Sequence, residues 1–225
     1  MKKIALICCV AVLAASCQFI SFNGKEGRHF CKGPVETRVL DSLSGFNAIT
    51  VSGHADVTFI QGEEYSVEVN ANNDVFDHLD YSVQDGCLLI KTRGQIYAKT
   101  YDVTVTAPVL EKLTVKGATD FSLKNYSSDE NIYVVANGAA ELEMANITVP
   151  GLSIQVNGAG DVDMDDIKVG SLGLTIKGAG DVTVSGTADA ASISVSGAGD
   201  IDATELVCPE IKTHKSGAAS IRLSK

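Results

Sequence analysis

The chain has 225 residues, of which 18 are basic and 28 are acidic, so its formal net charge is −10. This acidic balance argues against a nucleic-acid partner, because binding to nucleic acid depends on clustered Lys and Arg that neutralise phosphates. Hydrophobic residues make up 45% of the chain, which is enough to bury one core.

The N-terminal residues have the layout of an export signal. Lys2 and Lys3 precede an apolar run over residues 4–13, and small residues separate this run from Cys17. A basic start, an apolar stretch and small residues before a cleavage point are typical of a signal peptide. The run is shorter than the roughly 20 apolar residues that a membrane-spanning helix needs. We therefore predict a lipoprotein signal peptide over residues 1–16.

The cleavage site resembles the bacterial lipobox. In such sites the peptidase cuts before the cysteine, whose thiol carries a diacylglycerol, and this assigns lipidation to Cys17. Ala14 departs from the common pattern, in which Leu stands at that position. Gln18 follows the cysteine in place of the Asp that holds many lipoproteins in the inner membrane. The resemblance implies an outer-membrane lipoprotein of the cell envelope, and it leaves open which face of the membrane the protein occupies.

The exported part is more acidic than the whole chain. Residues 1–16 hold two of the 18 basic and none of the 28 acidic residues, which leaves a net charge of −12. Residues 17–34 are polar and predict a tether between the lipid and the fold. Cys31, Cys87 and Cys208 are widely spaced, so they suggest no metal or redox motif. A disulfide between two of them and three buried thiols both remain open.

Residues 35–112 predict the irregular part of a domain that extends over residues 35–225. Short apolar alternations indicate strands, and turn residues at 61–64 and 84–86 predict hairpins. Residues 74–79 predict one helical turn.

Residues 113–225 are dominated by an internal repeat of the type Gly-Ala-Gly-Asp. The copies, including one earlier copy, begin at Ser52, Lys116, Asn137, Asn157, Lys177, Ser196 and Ser216. From Gly117 onward the leading glycines are 21, 20, 20, 19 and 20 residues apart. A period of this length predicts stacked coils, about 20 residues each.

Apolar residues alternate on both sides of each glycine, as in Ile154 and Val156 before the corner and Val162 and Met164 after it. A period of two predicts short strands with one inward face. Glycine suits the sharp corner between them, since it reaches backbone angles closed to other residues. The repeat therefore predicts an all-β solenoid, whose corner stays thin if the following Ala points inward. An antiparallel sandwich would not require so regular a period.

The sequence resembles the putative auto-transporter adhesin, head GIN domain family over residues 38–223. The resemblance is carried by five features in this order: Gly45-Phe46-Asn47-Ala48-Ile49, Val51-Ser52-Gly53 with Asp56-Val57, Gln61-Gly62-Glu63, the segment 83–90, and the Gly-Ala-Gly-Asp repeats. It implies a right-handed, single-stranded parallel β-helix. No catalytic residues come with the family, and we predict that the protein is not an enzyme.

The repeats place acidic residues at one position of successive coils. These residues are Asp120, Glu141, Asp161, Asp181 and Asp200. Oxygen-rich sites suit calcium, but ligands for bound Ca²⁺ usually come from several directions. The alternative is that each carboxylate accepts backbone N–H groups and fixes its turn. We favour this alternative and predict no cofactor, with weak calcium binding left open.

The last coil is basic, with Lys212, Lys215 and Arg222. Charge at a terminal coil prevents strand-to-strand stacking. Alternatively, this end docks onto an acidic coil of a second copy and forms a homo-oligomer.

Three functional hypotheses follow. The leading one is a non-catalytic envelope lipoprotein whose acidic solenoid binds a glycan or a protein. The second is a structural or assembly module of the envelope without a dedicated ligand. The third is a polysaccharide lyase-like enzyme, which depends only on the fold analogy.

Overall fold

The computed structural model describes residues 28–40 and 42–224. The predicted signal peptide, Cys17 and residues 17–27 of the predicted tether lie outside the described residues. In the described part of the chain, no helix has both the length and the apolar character needed to cross a bilayer.

The described residues form twelve strands and one short 3-10 helix. The strands are β1 (Arg28–Cys31), β2 (Val35–Val39), β3 (Ala48–Gln61), β4 (Ser66–Asn72), β5 (Leu79–Gln84), β6 (Cys87–Thr92), β7 (Gln95–Ala98), β8 (Tyr101–Ala107), β9 (Lys112–Ser127), β10 (Ile132–Ala179), β11 (Val182–Val207) and β12 (Glu210–Leu223). The 3-10 helix, Asn73–His78, lies where the sequence predicts a helical turn. With 80% of residues in strands and 3% in helix, the prediction of an all-β fold is confirmed.

Two sheets contain these strands. The larger has ten strands, of which eight follow the order β12-β11-β10-β9-β3-β8-β4-β2, while β6 joins at β3 and β5 pairs with β6. The smaller sheet is the parallel pair β1 and β7.

Equivalent positions of the repeats lie opposite one another in parallel pairs of strands. Gly138 lies opposite Gly117, and Gly197 lies opposite both Gly178 and Gly217. Gly117 also lies opposite Gly53 of the early copy. The corners of successive repeats are therefore stacked in register.

The hydrophobic core follows from the alternation around each corner. In β9, for example, Leu113, Val115 and Leu123 are fully buried, whereas Lys112, Lys116 and Lys124 next to them are exposed. One face of each strand thus supplies the interior, and the core runs continuously along the stack.

The corner glycines allow the close approach of one coil to the next. Gly178 has a φ of +144°, and a Cβ placed there would lie 2.0 Å from the carbonyl oxygen of Gly158. Neither the backbone angle nor the space tolerates a side chain. The alanine that follows each corner glycine is exposed, as at Ala118 and Ala139, and the next position points inward. The corner is thin because this next position holds a small residue, as at Ala140, which is 7% exposed.

The larger sheet is mixed, because antiparallel pairs occur within residues 35–107. β5 and β6 form the hairpin that the sequence predicts at residues 84–86; its turn residues Asp85 and Gly86 both have positive φ. The hairpin predicted at residues 61–64 is wrong, since β8 lies between β3 and β4. β8 pairs in parallel with β3 and antiparallel with β4, so strands that are neighbours in sequence are separated in the sheet.

Strand β12 has polar residues at positions that are apolar in the coil before. Thr213 lies opposite Ile193, and Lys215 lies opposite Val195. Ile193 and Val195 are buried, whereas Thr213 and Lys215 are exposed. Among the described strands, β12 pairs only with β11, so it is the last strand of the described stack. Thr213 and Lys215 make the inward face of this last strand polar.

A buried asparagine joins the small sheet to the main body. The Asn72 side chain, 5% exposed, donates to the carbonyl oxygen of Gly33 at 2.6 Å. Its amide oxygen accepts from the backbone N–H groups of Lys99 and Thr100, both at 3.1 Å. One side chain therefore ties the segment after β1 to the segment after β7.

The three cysteines in the described residues are free thiols. Cys31, the last residue of β1, is buried, and its thiol pKa is raised, first by desolvation and then by the charges of Asp74 and Asp77. Cys87 and Cys208 are half-buried.

Candidate functional site

The acidic side chains named from the sequence lie on one side of the stacked corners. Each is exposed and comes two residues after an exposed alanine, for the reason that alternate residues of a strand face the same way. Asp120 lies directly opposite Glu141 of the next coil. The acidic residues concerned are Asp120, Glu141, Asp161, Asp181 and Asp200. We refer to these five residues as the acidic ladder.

Two members of the ladder bind the backbone of the following coil. The N–H of Asp181 donates to Oδ1 of Asp161 at 3.0 Å, and the N–H of Asp200 donates to Oδ1 of Asp181 at 3.1 Å. As the alternative to calcium binding, the sequence suggests that each carboxylate accepts backbone N–H groups of its own turn. These two carboxylates do accept backbone N–H groups, but the N–H belongs to the next coil. At these positions the carboxylates help to hold adjacent coils together.

The ladder continues beyond the residues identified from the sequence. Asp56 lies opposite Asp120 on one side and opposite Asp102 on the other. The pKa of the Asp56 carboxyl is raised, first by desolvation and then by the charges of Asp120 and Asp102, while His54 acts in the opposite direction. Asp56 could have been found from the sequence, since it occupies the acidic position of the early repeat copy. Asp102 has no such signal, because β8 carries no repeat motif.

A groove of about 770 Å³ runs along the corners beside the ladder. Its lining consists of His54 at one end, Ala218 at the other, and the Ala, Gly, Thr and acidic residues of the corners between them. With about 4.8 Å between coils, seven successive corners give a length of about 29 Å. The groove therefore has a floor of small residues and an acidic margin.

The ladder carboxylates form a line along the stack. Among residues 28–40 and 42–224, no group of three or more His, Cys, Asp or Glu side chains is arranged to hold a metal ion. A line of exposed carboxylates attracts cationic groups and accepts hydrogen bonds from hydroxyl or amino groups. The arrangement suits an elongated ligand that contacts several coils at once.

The basic residues of the last coil are partly paired within that end of the protein. Lys212 forms an ion pair with Glu210 at 2.8 Å, and Arg222 binds Asp202 at 3.0 Å. The pKa of Asp202 is lowered, first by its hydrogen bonds from Thr204 and then by Arg222. These local pairs reduce the positive charge that this end presents to its surroundings.

Comparison with known proteins gives a family and a fold. A family model described as "Putative auto-transporter adhesin, head GIN domain" matches residues 45–225. No curated protein matches the chain.

Several solved structures share the fold. A putative adhesin from Parabacteroides distasonis has a TM-score of 0.74 and 21% identity, with 88% of this chain and 85% of that chain covered. A putative adhesin from Parabacteroides merdae has a TM-score of 0.73 and 22% identity, covering 86% of this chain and 83% of that one. A putative lipid binding protein from Parabacteroides distasonis has a TM-score of 0.74 and 22% identity, covering 88% and 100%.

At these identities the solved structures establish the fold alone, whereas the family model establishes the family. It spans most of the chain and confirms the resemblance found in the sequence. The chain belongs to the putative auto-transporter adhesin, head GIN domain family.

Proposed function

We propose that the protein is a non-catalytic lipoprotein of the cell envelope that binds a glycan or a protein through the groove beside the acidic ladder. In this proposal Cys17 carries the lipid and residues 18–27 form the tether. The binding domain begins at Arg28 and not at residue 35 as the sequence predicts, because Arg28–Cys31 is strand β1 of the fold. The lipid places the protein in the outer membrane. The adhesin family of the chain supports a role in adhesion or binding at the envelope.

We also propose that the repeats wind as a right-handed parallel β-helix. Two observations support it: the parallel pairing of β9 to β12, and the in-register stacking of corner glycines about 20 residues apart. Parallel connections within one sheet are nearly always right-handed, because of the twist of the strands. The antiparallel pairs of residues 35–107 would then close the N-terminal end of the helix.

The groove is the single observation that carries the binding role. Its acidic margin is repeated at five successive coils, and its floor of exposed alanines gives a ligand close access to the backbone. A chain of sugar hydroxyls, or a peptide with basic side chains, would meet the same pattern of acceptors at each of these five coils. Repetition of weak contacts along one ligand raises the overall affinity without a deep pocket.

The test is a glycan array and a pull-down with the exported chain, compared with a variant that carries Asp161→Asn, Asp181→Asn and Asp200→Asn. Specific capture by the wild type, and its loss in the variant, is the expected result. The matched control carries Asp163→Asn, Asp189→Asn and Glu205→Gln. Its substitutions remove the same charge from exposed positions outside the groove lining, so it should retain binding.

Two results would contradict the proposal. Equal loss of binding in the control would assign the effect to net charge alone. Absence of any specific capture by the wild type would instead favour a structural envelope module. The anchor is tested separately, by incorporation of labelled fatty acid into the wild type and its loss in Cys17→Ser.

A further inference from the structure

One exposed face of the small sheet combines aromatic and basic side chains. Phe30 of β1 lies opposite Tyr97 of β7, and their rings stack with centroids 5.0 Å apart and an interplanar angle of 18°. The two residues are 65% and 47% exposed. The two stacked rings form an apolar surface that no other side chain in the described part of the chain covers.

Basic residues surround this aromatic pair. Arg28 and Lys32 are two residues before and after Phe30, and Lys99 is two residues after Tyr97, which places all three near the same face. They are exposed, and none has an ion pair with another described residue. We refer to Arg28, Phe30, Lys32, Tyr97 and Lys99 as the aromatic-basic face. Its charge is opposite to that of the chain, whose net charge is −10.

The aromatic-basic face is held in place by the body of the protein. On the opposite side of the same two strands, Cys31 and Ile96 are buried in the core. The carboxylate of Asp74 accepts the backbone N–H of Lys32 at 2.9 Å, and the Asn72 side chain binds the segments after both strands. The face is therefore a fixed surface of the fold.

The position of this face in the chain indicates what covers it. Ten residues separate Cys17 from Arg28. An extended chain of this length reaches at most about 40 Å. A lipid on Cys17 would hold the aromatic-basic face within this distance of the bilayer surface, whereas the acidic ladder lies on the later coils.

We propose that the aromatic-basic face docks on the surface of the membrane that carries the protein's own lipid anchor. Aromatic rings favour the interface between headgroups and acyl chains, and basic side chains are attracted to anionic headgroups. Docking of this face fixes the orientation of the stack on the membrane. The inference rests on the anchor of the proposed function, and it adds a second, non-covalent contact to it.

The chain lacks Trp, which makes a single reporter unambiguous. The full chain, exported and lipidated, is reconstituted into vesicles of phosphatidylethanolamine and phosphatidylglycerol whose acyl chains are brominated near the headgroup. Tyr97→Trp and, separately, Phe30→Trp report contact with lipid through quenching. Tyr133→Trp is the matched control, because Tyr133 is a 52% exposed tyrosine in the repeats.

We expect quenching at positions 97 and 30 to exceed that at position 133 by at least about twofold, as interfacial burial brings a ring next to the brominated lipid. Lys32→Glu with Lys99→Glu should abolish the difference, while Lys116→Glu with Lys177→Glu should leave it intact. Removal of phosphatidylglycerol, or high salt, should reduce it, because the attraction is electrostatic.

Equal, weak quenching at all three positions of a chain that still floats with the vesicles would overturn the docking and leave the anchor standing. A wild-type chain that incorporates no fatty acid and does not float would overturn the anchor, and the docking with it. A concentration-dependent blue shift in the fluorescence of the Tyr97→Trp variant without vesicles, unaffected by adding them, would assign the face to a second copy of the chain.

Discussion

The backbone N–H of Asp181 donates to the carboxylate of Asp161 at 3.0 Å. Asp161 therefore has two roles, since it contributes charge to the groove and holds the next coil. The two roles are separable, because an amide oxygen accepts a hydrogen bond without a negative charge.

Asp161→Ala should lower the free energy of unfolding by about 0.5–1.5 kcal/mol, the usual net contribution of one hydrogen bond. Asp161→Asn should lose less than Asp161→Ala, or gain stability, since it retains the acceptor and removes repulsion between stacked carboxylates. Urea unfolding followed by circular dichroism measures both. Asp163→Ala, at an exposed acidic position of the same strand, is the control and should differ little from the wild type. Equal stability of the two Asp161 variants would show that the hydrogen bond contributes nothing.

Because the corners stack closely, we predict that a corner glycine such as Gly178 cannot be replaced by alanine without loss of stability. A Cβ at Gly178 would lie 2.0 Å from the carbonyl oxygen of Gly158, and the φ of +144° is itself unfavourable for alanine. We expect Gly178→Ala to destabilise the fold by about 3 kcal/mol or more. At Gly173 the nearest atom would be 3.6 Å away, so Gly173→Ala should be neutral or stabilising. Similar thermal midpoints for the two variants would contradict the stacking of the corners.

The hydroxyl of Thr119 is buried without a hydrogen-bond partner among the described residues. The side chain is 2% exposed, and alanines occupy the same corner position opposite it, at Ala55 and Ala140. Thr119→Val keeps the volume and removes the unsatisfied hydroxyl, so it should raise the free energy of unfolding by about 1 kcal/mol. Thr148→Val, at an exposed strand position, should change it by no more than about 0.5 kcal/mol. A loss of stability in Thr119→Val would mean that the hydroxyl has a partner after all.

The regular part of the fold is predictable because the sequence of each repeat contains the pattern that determines its own strands and its alignment with the next repeat. The alternation around Gly158 or Gly178 predicts which residues face the core. The recurrence of the same corner predicts which residues of neighbouring coils lie opposite one another. The acidic ladder follows from this register without further knowledge. The outward direction of Ala118 follows from it as well, because the buried positions alternate without a break through Gly117, from Val115 before the corner to Phe121 after it.

The N-terminal part is less predictable because its contacts are distant in sequence. Gln61 and Ser66 are close along the chain, but β8, which begins at Tyr101, separates their strands. Pairing of β1 with β7 joins residues 67 positions apart, such as Phe30 and Tyr97. No repeat aligns these segments, so the aromatic-basic face is visible only once the strands are placed.

Two tyrosines of the N-terminal part predict a loss of stability in alkali. The hydroxyl groups of Tyr81 and Tyr101 are 2.9 Å apart, and the pKa of each is raised, chiefly by desolvation. The unfolded chain releases these protons above its ordinary tyrosine pKa of about 10, whereas the folded protein retains them. Their contribution is therefore fully present below pH 10 and is lost as the pH rises above it.

At pH 11 we expect the free energy of unfolding to be about 2.7 kcal/mol lower than at pH 9, because each of the two groups that stays protonated only in the folded state contributes about 1.4 kcal/mol over the pH unit above 10. Tyr81→Phe leaves one such group, so the loss between these pH values should fall by about half, even though the variant starts less stable at pH 9. Urea unfolding at both pH values gives the difference directly. Tyr133→Phe, at an exposed hydroxyl, should retain the full loss. If Tyr81→Phe also retains it, the alkaline loss arises elsewhere and the buried tyrosine pair is not its cause.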